Sequence, residues 1–179
     1  MRIIAGIYKR HKLKMDKHLS IRPTADSVRE SLFAVIQDYV KGAIVLDLFA
    51  GTGSFGLEAL SRGAKEVHFV DKSYKVSRLI EKNIEILQVK QWTKLFRQSA
   101  DKYLTSFPDK KFYNIIFIDP PYNKGIVQKV VGKIFVSDIL KDDGILVVEH
   151  SNRERLQDID NRIIIEKNYG DTNITILTQ

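Results

Sequence analysis

The chain is 179 residues long, enough for one domain of ordinary size to bury a single large core without disulfides or metals. Its 44% hydrophobic and 28% charged residues are globular proportions, which exclude disordered, collagen-like and low-complexity chains. It contains no Cys, so disulfides, thiolate zinc sites and a Cys nucleophile are excluded too; four His leave a mixed His/carboxylate site formally open, and no metal is expected.

Residues 1–29 carry Arg2, Lys9, Arg10, Lys12, Lys14, Lys17, Arg22 and Arg29 against Asp16 and Asp26, a net of +6. The formal charge of the whole chain is +7, so the other 150 residues contribute only +1. A segregated basic arm is the footprint of a polyanion, because each phosphate it neutralises releases a condensed counterion. RNA, DNA, a membrane surface and a merely solubilising face all fit the charge. Tyr8, His11 and His18 among the basic residues, and the lack of an amphipathic helical period over 7–20, favour nucleic acid. The candidate contacts are Lys9, Arg10, Lys12, Lys14 and Arg29. No apolar run approaches the ~18 residues of a spanning helix, and Lys9 interrupts the N-terminus before a signal-peptide apolar region can form. The expectation is a cytoplasmic monomer without membrane contact.

Along the chain, Pro23-Thr24 reads as the start of a helix with Val28, Leu32, Val35, Ile36 and Tyr39 on one face and Gly42 at its end. The apolar run 44–49 then breaks into the glycine-rich 50–56 and continues as a helix closed by Gly63. A second strand, 67–70, ends at Asp71 and precedes a helix with Val76, Leu79, Ile80, Ile84 and Leu87 spaced by three and four. A weak strand at Leu95-Phe96, a short helix over 100–104, the strand 113–118, a helix over 126–135 and the strand 145–148 follow. Near-continuous apolar strands alternating with amphipathic helices specify an α/β fold with a mostly parallel sheet covered on both faces. The tail breaks the rhythm: 162–167 and 174–177 flank Tyr169-Gly-Asp-Thr172 as an antiparallel hairpin. The expected organisation is one domain over 1–179, with a basic extension over 1–21 and a Rossmann-like core over 22–179.

In such sheets ligands bind beyond the carboxyl ends of the strands, where the strand order reverses. Gly51, Gly53 and Gly56 satisfy G-x-G-x-x-G, and Asp71 stands 20 residues after Gly51, where a carboxylate takes ribose hydroxyls. By itself this fits several cofactors, or glycines that serve packing alone. Asp47, four residues before the first glycine, discriminates, because a carboxylate there repels a pyrophosphate and favours a cationic ligand. S-adenosylmethionine, with its ammonium and sulfonium, fits. Asp101 is placed either to accept from the adenine amino group or to cap the helix it begins.

Asp119-Pro120-Pro121-Tyr122 follows the strand 113–118. Two prolines cannot continue a strand and stiffen the turn. The exocyclic amino group of a nucleobase is a poor nucleophile, since its lone pair is delocalised into the ring. Its two N–H groups donating to the Asp119 carboxylate and the Pro120 carbonyl would leave that lone pair free to attack, so positioning is the main task. Tyr122 would stack on a base taken out of its helix.

Together these residues resemble the class I S-adenosylmethionine-dependent methyltransferases, and among them the RsmD family of 16S ribosomal RNA guanine-N2 methyltransferases. The resemblance runs through 2–6, Arg22-Pro-Thr24, Arg29-Glu30, 46–51, 56–59, Ser61-Arg-Gly-Ala64, 119–122 and 169–172. It implies a seven-stranded sheet with an N-terminal hairpin, and methylation of one guanine amino group in 16S rRNA, presented within a small-subunit assembly intermediate. It also adds Arg22 and Thr24 to the cofactor set, which then comprises Arg22, Thr24, Asp47, Phe49, Ala50, Gly51, Gly53, Asp71, Lys72, Ala100 and Asp101. Adenine-N6 or cytosine-N4 methylation of RNA or DNA is the alternative within the enzymes. An rRNA-binding module with a vestigial site is the alternative of another class, against which the intact motifs argue. A nicotinamide oxidoreductase is disfavoured by Asp47 and leaves 119–122 unexplained.

Overall fold

The computed structural model describes residues 1–16, 24–121, 125–154, 156 and 162–179. Seven strands, β1 (Ile44–Asp47), β2 (Glu66–Val70), β3 (Thr93–Phe96), β4 (Tyr113–Ile118), β5 (Leu140–Ser151), β6 (Ile163–Tyr169) and β7 (Thr172–Thr178), form one sheet in the order β3-β2-β1-β4-β5-β7-β6. The first five are parallel, and β7 runs antiparallel between β5 and β6. The order reverses between β1 and β4. Side chains alternate along each strand, so Val45, Val67, Phe69, Ile115 and Phe117 enter one core while Leu46, Val70, Ile116 and Ile118 enter the other. The first core is covered by α1 (Asp26–Val35), α3 (Ser54–Ser61) and α4 (Tyr74–Leu87), the second by α5 (Ala100–Ser106) and α6 (Ile126–Ser137). Among the described residues no helix is long and apolar enough to cross a membrane.

The single helix expected up to Gly42 is two. The chain breaks at Ile36 (φ −95°, ψ 12°) and resumes as the one-turn α2 (Gln37–Val40). The break shifts the helical phase, so Tyr39 is 42% exposed while Phe33 and Val40 are buried. Strand β5 is longer than the run 145–148 on both sides. It first meets β4 at Leu140 opposite Tyr113, then loses register and resumes with Ile145 opposite Ile115.

The N-terminal arm folds back on itself. Arg2 and Lys12 form an antiparallel bridge, the Ile3 N–H donates to the His11 carbonyl (2.9 Å), and the Arg10 N–H donates to the Ile3 carbonyl (2.9 Å). Ile3 and Leu13 enter the first core, while Lys9, Arg10, Lys12 and Lys14 stay exposed. The hairpin is fastened to α3. The fully buried Glu58 accepts the Ile4 N–H (2.8 Å) and the Ala5 N–H (3.0 Å) and pairs with Arg62 (2.7 Å). At Gly6 (φ +81°) a Cβ would lie 1.8 Å from the Ser61 carbonyl oxygen, so no other residue permits this approach.

Candidate functional site

A cavity of about 650 Å³ opens at the carboxyl ends of the parallel strands, beside the point where their order reverses. One wall is the loop after β1. Its Leu48 N–H donates to Phe117 of β4 (3.0 Å) and its Ala50 N–H to Val70 of β2 (3.1 Å), so both neighbouring strands hold it. Phe49, Ala50, Gly51 and Thr52 line the cavity. Asp71, just past β2, stands next to them with its orientation fixed, because Oδ2 accepts the Gly51 N–H (3.3 Å) and Oδ1 the Ser73 N–H (2.8 Å). Burial pushes the Asp71 carboxyl above the usual carboxylate range. Lys72 completes this edge.

Asp47 does not line the cavity with them. Its carboxyl is 2% exposed beneath the loop, where Oδ2 accepts the Gly56 N–H (3.1 Å). Burial pushes it up to about 7, with the nearby Asp71 charge adding to the rise. The direct carboxylate partner expected for a cationic ligand is therefore a clamp one layer below, tying the end of β1 to α3. Gly53 is likewise absent from the lining. Gly56 serves close packing, since a Cβ there would lie 2.4 Å from Phe69 Cε1 and 2.6 Å from Val67 Cγ1.

Asp119, Pro120 and Pro121 form the opposing wall, with Glu149 from the end of β5 and Thr24 from the entry to α1. Thr24 Oγ1 donates to Glu149 Oε2 (2.9 Å), and both residues are buried. Helices α5 and α6 close the remaining side through Ala100, Asp101, Lys129, Val130 and Lys133. Asp101 is not the cap of α5; Ser99 is, its hydroxyl accepting the Lys102 N–H (3.2 Å). Asp101 instead pairs with Lys133 across the mouth, and that ammonium holds its carboxyl below the usual range. Arg22 and Tyr122 lie outside the described residues. Glu149, Lys129 and Lys133 escaped the sequence reading. The signal for Glu149 is in the sequence: like Asp119 it directly follows an apolar run, 145–148.

Arg29, expected to face RNA, does not reach the surface. It is fully buried, donating to the Arg2 carbonyl (2.7 Å) and pairing with Asp26 (3.0 Å). Its position on α1 falls on the same helical face as Leu32 and Phe33, so its guanidinium ties the arm to the core.

A reversed parallel order followed by an antiparallel β7 next to β5, with a glycine-loop cavity at the reversal, defines the class I methyltransferase fold. The family model described as "Conserved hypothetical protein 95" matches residues 1–178. The chain belongs to this family, the RsmD family. It is 34% identical over 179 residues to YlbH of Bacillus subtilis (strain 168), covering 98% of this chain and 97% of that protein. It is 32% identical over 150 residues to "Ribosomal RNA small subunit methyltransferase D" of Haemophilus influenzae, covering 83% of this chain and 78% of the relative. The solved structure of yhhF from Escherichia coli superposes with a TM-score of 0.87 at 29% identity, covering 100% of this chain and 97% of that one.

Proposed function

We propose that this protein methylates ribosomal RNA, and specifically the exocyclic N2 amino group of one guanine in 16S rRNA, with S-adenosylmethionine as the methyl donor. The observation that carries the reading is the meeting of Asp71, anchored beside the glycine loop, and the Asp119-Pro120-Pro121 wall in one cavity. The family relative from Haemophilus influenzae, described as a small-subunit rRNA methyltransferase, supports the substrate class.

The site suits the donor. The Asp71 carboxylate, held by two backbone N–H groups, has lone pairs left to accept from a ribose diol, and Lys72, Ala100 and Asp101 flank the adjoining space. When bound, S-adenosylmethionine supplies a methyl group made electrophilic by its sulfonium. The chain's own residues do the rest. Asp119 accepts one N–H of the target amino group and the Pro120 carbonyl the other, which fixes the nitrogen and directs its lone pair. Pro120 and Pro121 keep that carbonyl in place at no further entropic cost. Tyr122 is assigned to stack on the extruded base. Lys9, Arg10, Lys12 and Lys14 are assigned to the RNA backbone. The substrate is proposed to be a small-subunit assembly intermediate and the enzyme a cytoplasmic monomer.

The test is methyl transfer from labelled S-adenosylmethionine to small subunits and to stripped 16S RNA from cells lacking the native enzyme, followed by nucleoside analysis. N2-methylguanosine is expected. Methyladenosine would keep the mechanism and overturn the base. Asp119→Ala is expected to lower transfer at least about a hundredfold while cofactor binding holds within several-fold.

A further inference from the structure

Glu149 closes the apolar run of β5 and lines the cavity although only 7% of it is exposed. Strands β4 and β5 are parallel with Ile118 opposite Val148. Asp119, just past β4, and Glu149, two residues before the end of β5, directly follow that pair, so two carboxyl-bearing residues line the cavity from neighbouring strands. Thr24, itself a lining residue, donates to Glu149 Oε2 and so fixes the orientation of the carboxyl.

Two adjacent acceptors are selective for a base edge with two adjacent donors. The edge of guanine that carries the N2 amino group also carries N1–H, so both positions donate. The corresponding edge of adenine carries an N1 lone pair beside its amino group, and cytosine an N3 lone pair. A carboxylate facing either lone pair gains no hydrogen bond and meets a like-signed partial charge. We propose that Glu149 accepts the N1–H of the target guanine while Asp119 holds the N2 amino group, which makes Glu149 the residue that selects guanine over adenine and cytosine. This rests on the guanine-N2 reading above. Thr24 is the positioning residue for this contact, aligning the Glu149 carboxyl without touching the reacting atoms.

The test uses 2-aminopurine, which keeps the amino group on C2 but has a lone pair at N1. The methylated position is first mapped with the wild-type protein, and small-subunit RNA carrying guanine or 2-aminopurine there is then assembled into subunits. The wild type is expected to prefer guanine in kcat/KM by at least about a hundredfold, as a site built around a lost donor does. Glu149→Gln can turn an amide N–H toward the N1 lone pair, so it is expected to narrow that preference at least about tenfold. Glu149→Asp, which keeps the acceptor charge, lowers turnover on guanine without narrowing the preference. Calorimetric binding of S-adenosylmethionine verifies that each variant is folded. An unchanged preference in Glu149→Gln, or equal losses on both substrates, would overturn the role of Glu149 while leaving the guanine reading intact. A wild-type product other than N2-methylguanosine would overturn the guanine reading itself.

Discussion

The glycine loop and the N-terminal arm are both fastened to α3 through a buried carboxyl group, and the two fastenings differ in kind. Asp47 reaches up from the end of β1 to the Gly56 N–H, inside the same strand-loop-helix unit. Glu58 reaches outward from α3 to the Ile4 and Ala5 N–H groups, more than fifty residues away in sequence, and leans on Arg62 for charge. The loop is held by that local clamp together with the two neighbouring strand ends, through Leu48 to Phe117, Ala50 to Val70 and Gly51 to Asp71. The arm is held by a graft of buried polar contacts, completed by Arg29, Ser61 and Asn83, and adds Ile3 and Leu13 to the core beneath it. The loop carries one buried carboxyl whose charged form burial disfavours; the arm rests on several buried polar contacts at once, and each one lost leaves a backbone polar group unpaired.

Removing the graft is the sharpest way to test that contrast. Glu58→Ala strands two backbone donors and removes the carboxylate that pairs with Arg62, and is expected to cost about 3 to 5 kcal/mol in urea unfolding. Amide exchange at residues 3–13 should accelerate while the loop stays protected; equal acceleration in both would show that they form one cooperative unit. The Asp47 clamp is probed through pH. A carboxyl whose folded pKa is raised to about 7 adds stability while it keeps its proton. That contribution is full below the usual carboxyl pKa near 4 and is lost as pH rises to about 7, a decline on the order of 2 to 4 kcal/mol. Asp47→Asn keeps the acceptor for Gly56 and should flatten this decline, whereas parallel pH curves for the two proteins would assign the slope elsewhere.

Gly56→Ala forces a methyl against Phe69 and Val67, with an expected cost of about 1 to 3 kcal/mol. Cofactor affinity should fall with stability, and arm protection should not change. The smallest effect on folding is expected from reversing the charge of Lys9, Arg10 and Lys12, which all face solvent. Stability should stay within about 0.5 kcal/mol, while RNA affinity drops and its salt slope shrinks; an intact slope would move the RNA surface off the arm.

Much of the architecture was legible because it is periodic. The run 113–118 and the helix carrying Val76, Leu79, Ile80, Ile84 and Leu87 match β4 and the buried face of α4. Of the cavity wall, Ala50, Gly51, Asp71 and Asp119-Pro120-Pro121 were legible because each falls where a strand's apolar run is interrupted at its carboxyl end. Asp47 was read as a ligand partner and Arg29 as an RNA contact, since charge counted along a sequence carries no information about depth. Tyr39 was misplaced for a related reason: a helix break at Ile36 that no Pro or Gly announces changes the phase of everything after it.

Local pattern by itself therefore determined the order of strands and helices, the turn chemistry and the family motifs, because hydrophobic period and strand-end breaks are properties of consecutive residues. Tertiary structure alone decided which carboxylates face the cavity and which lie beneath it. It also paired Asp101 with Lys133 and Thr24 with Glu149, docked the basic hairpin on α3, and buried Arg29 while Lys9, Arg10, Lys12 and Lys14 stay exposed. Those outcomes depend on long-range juxtaposition and on the cost of burying charge, neither of which exists until the chain has closed on itself.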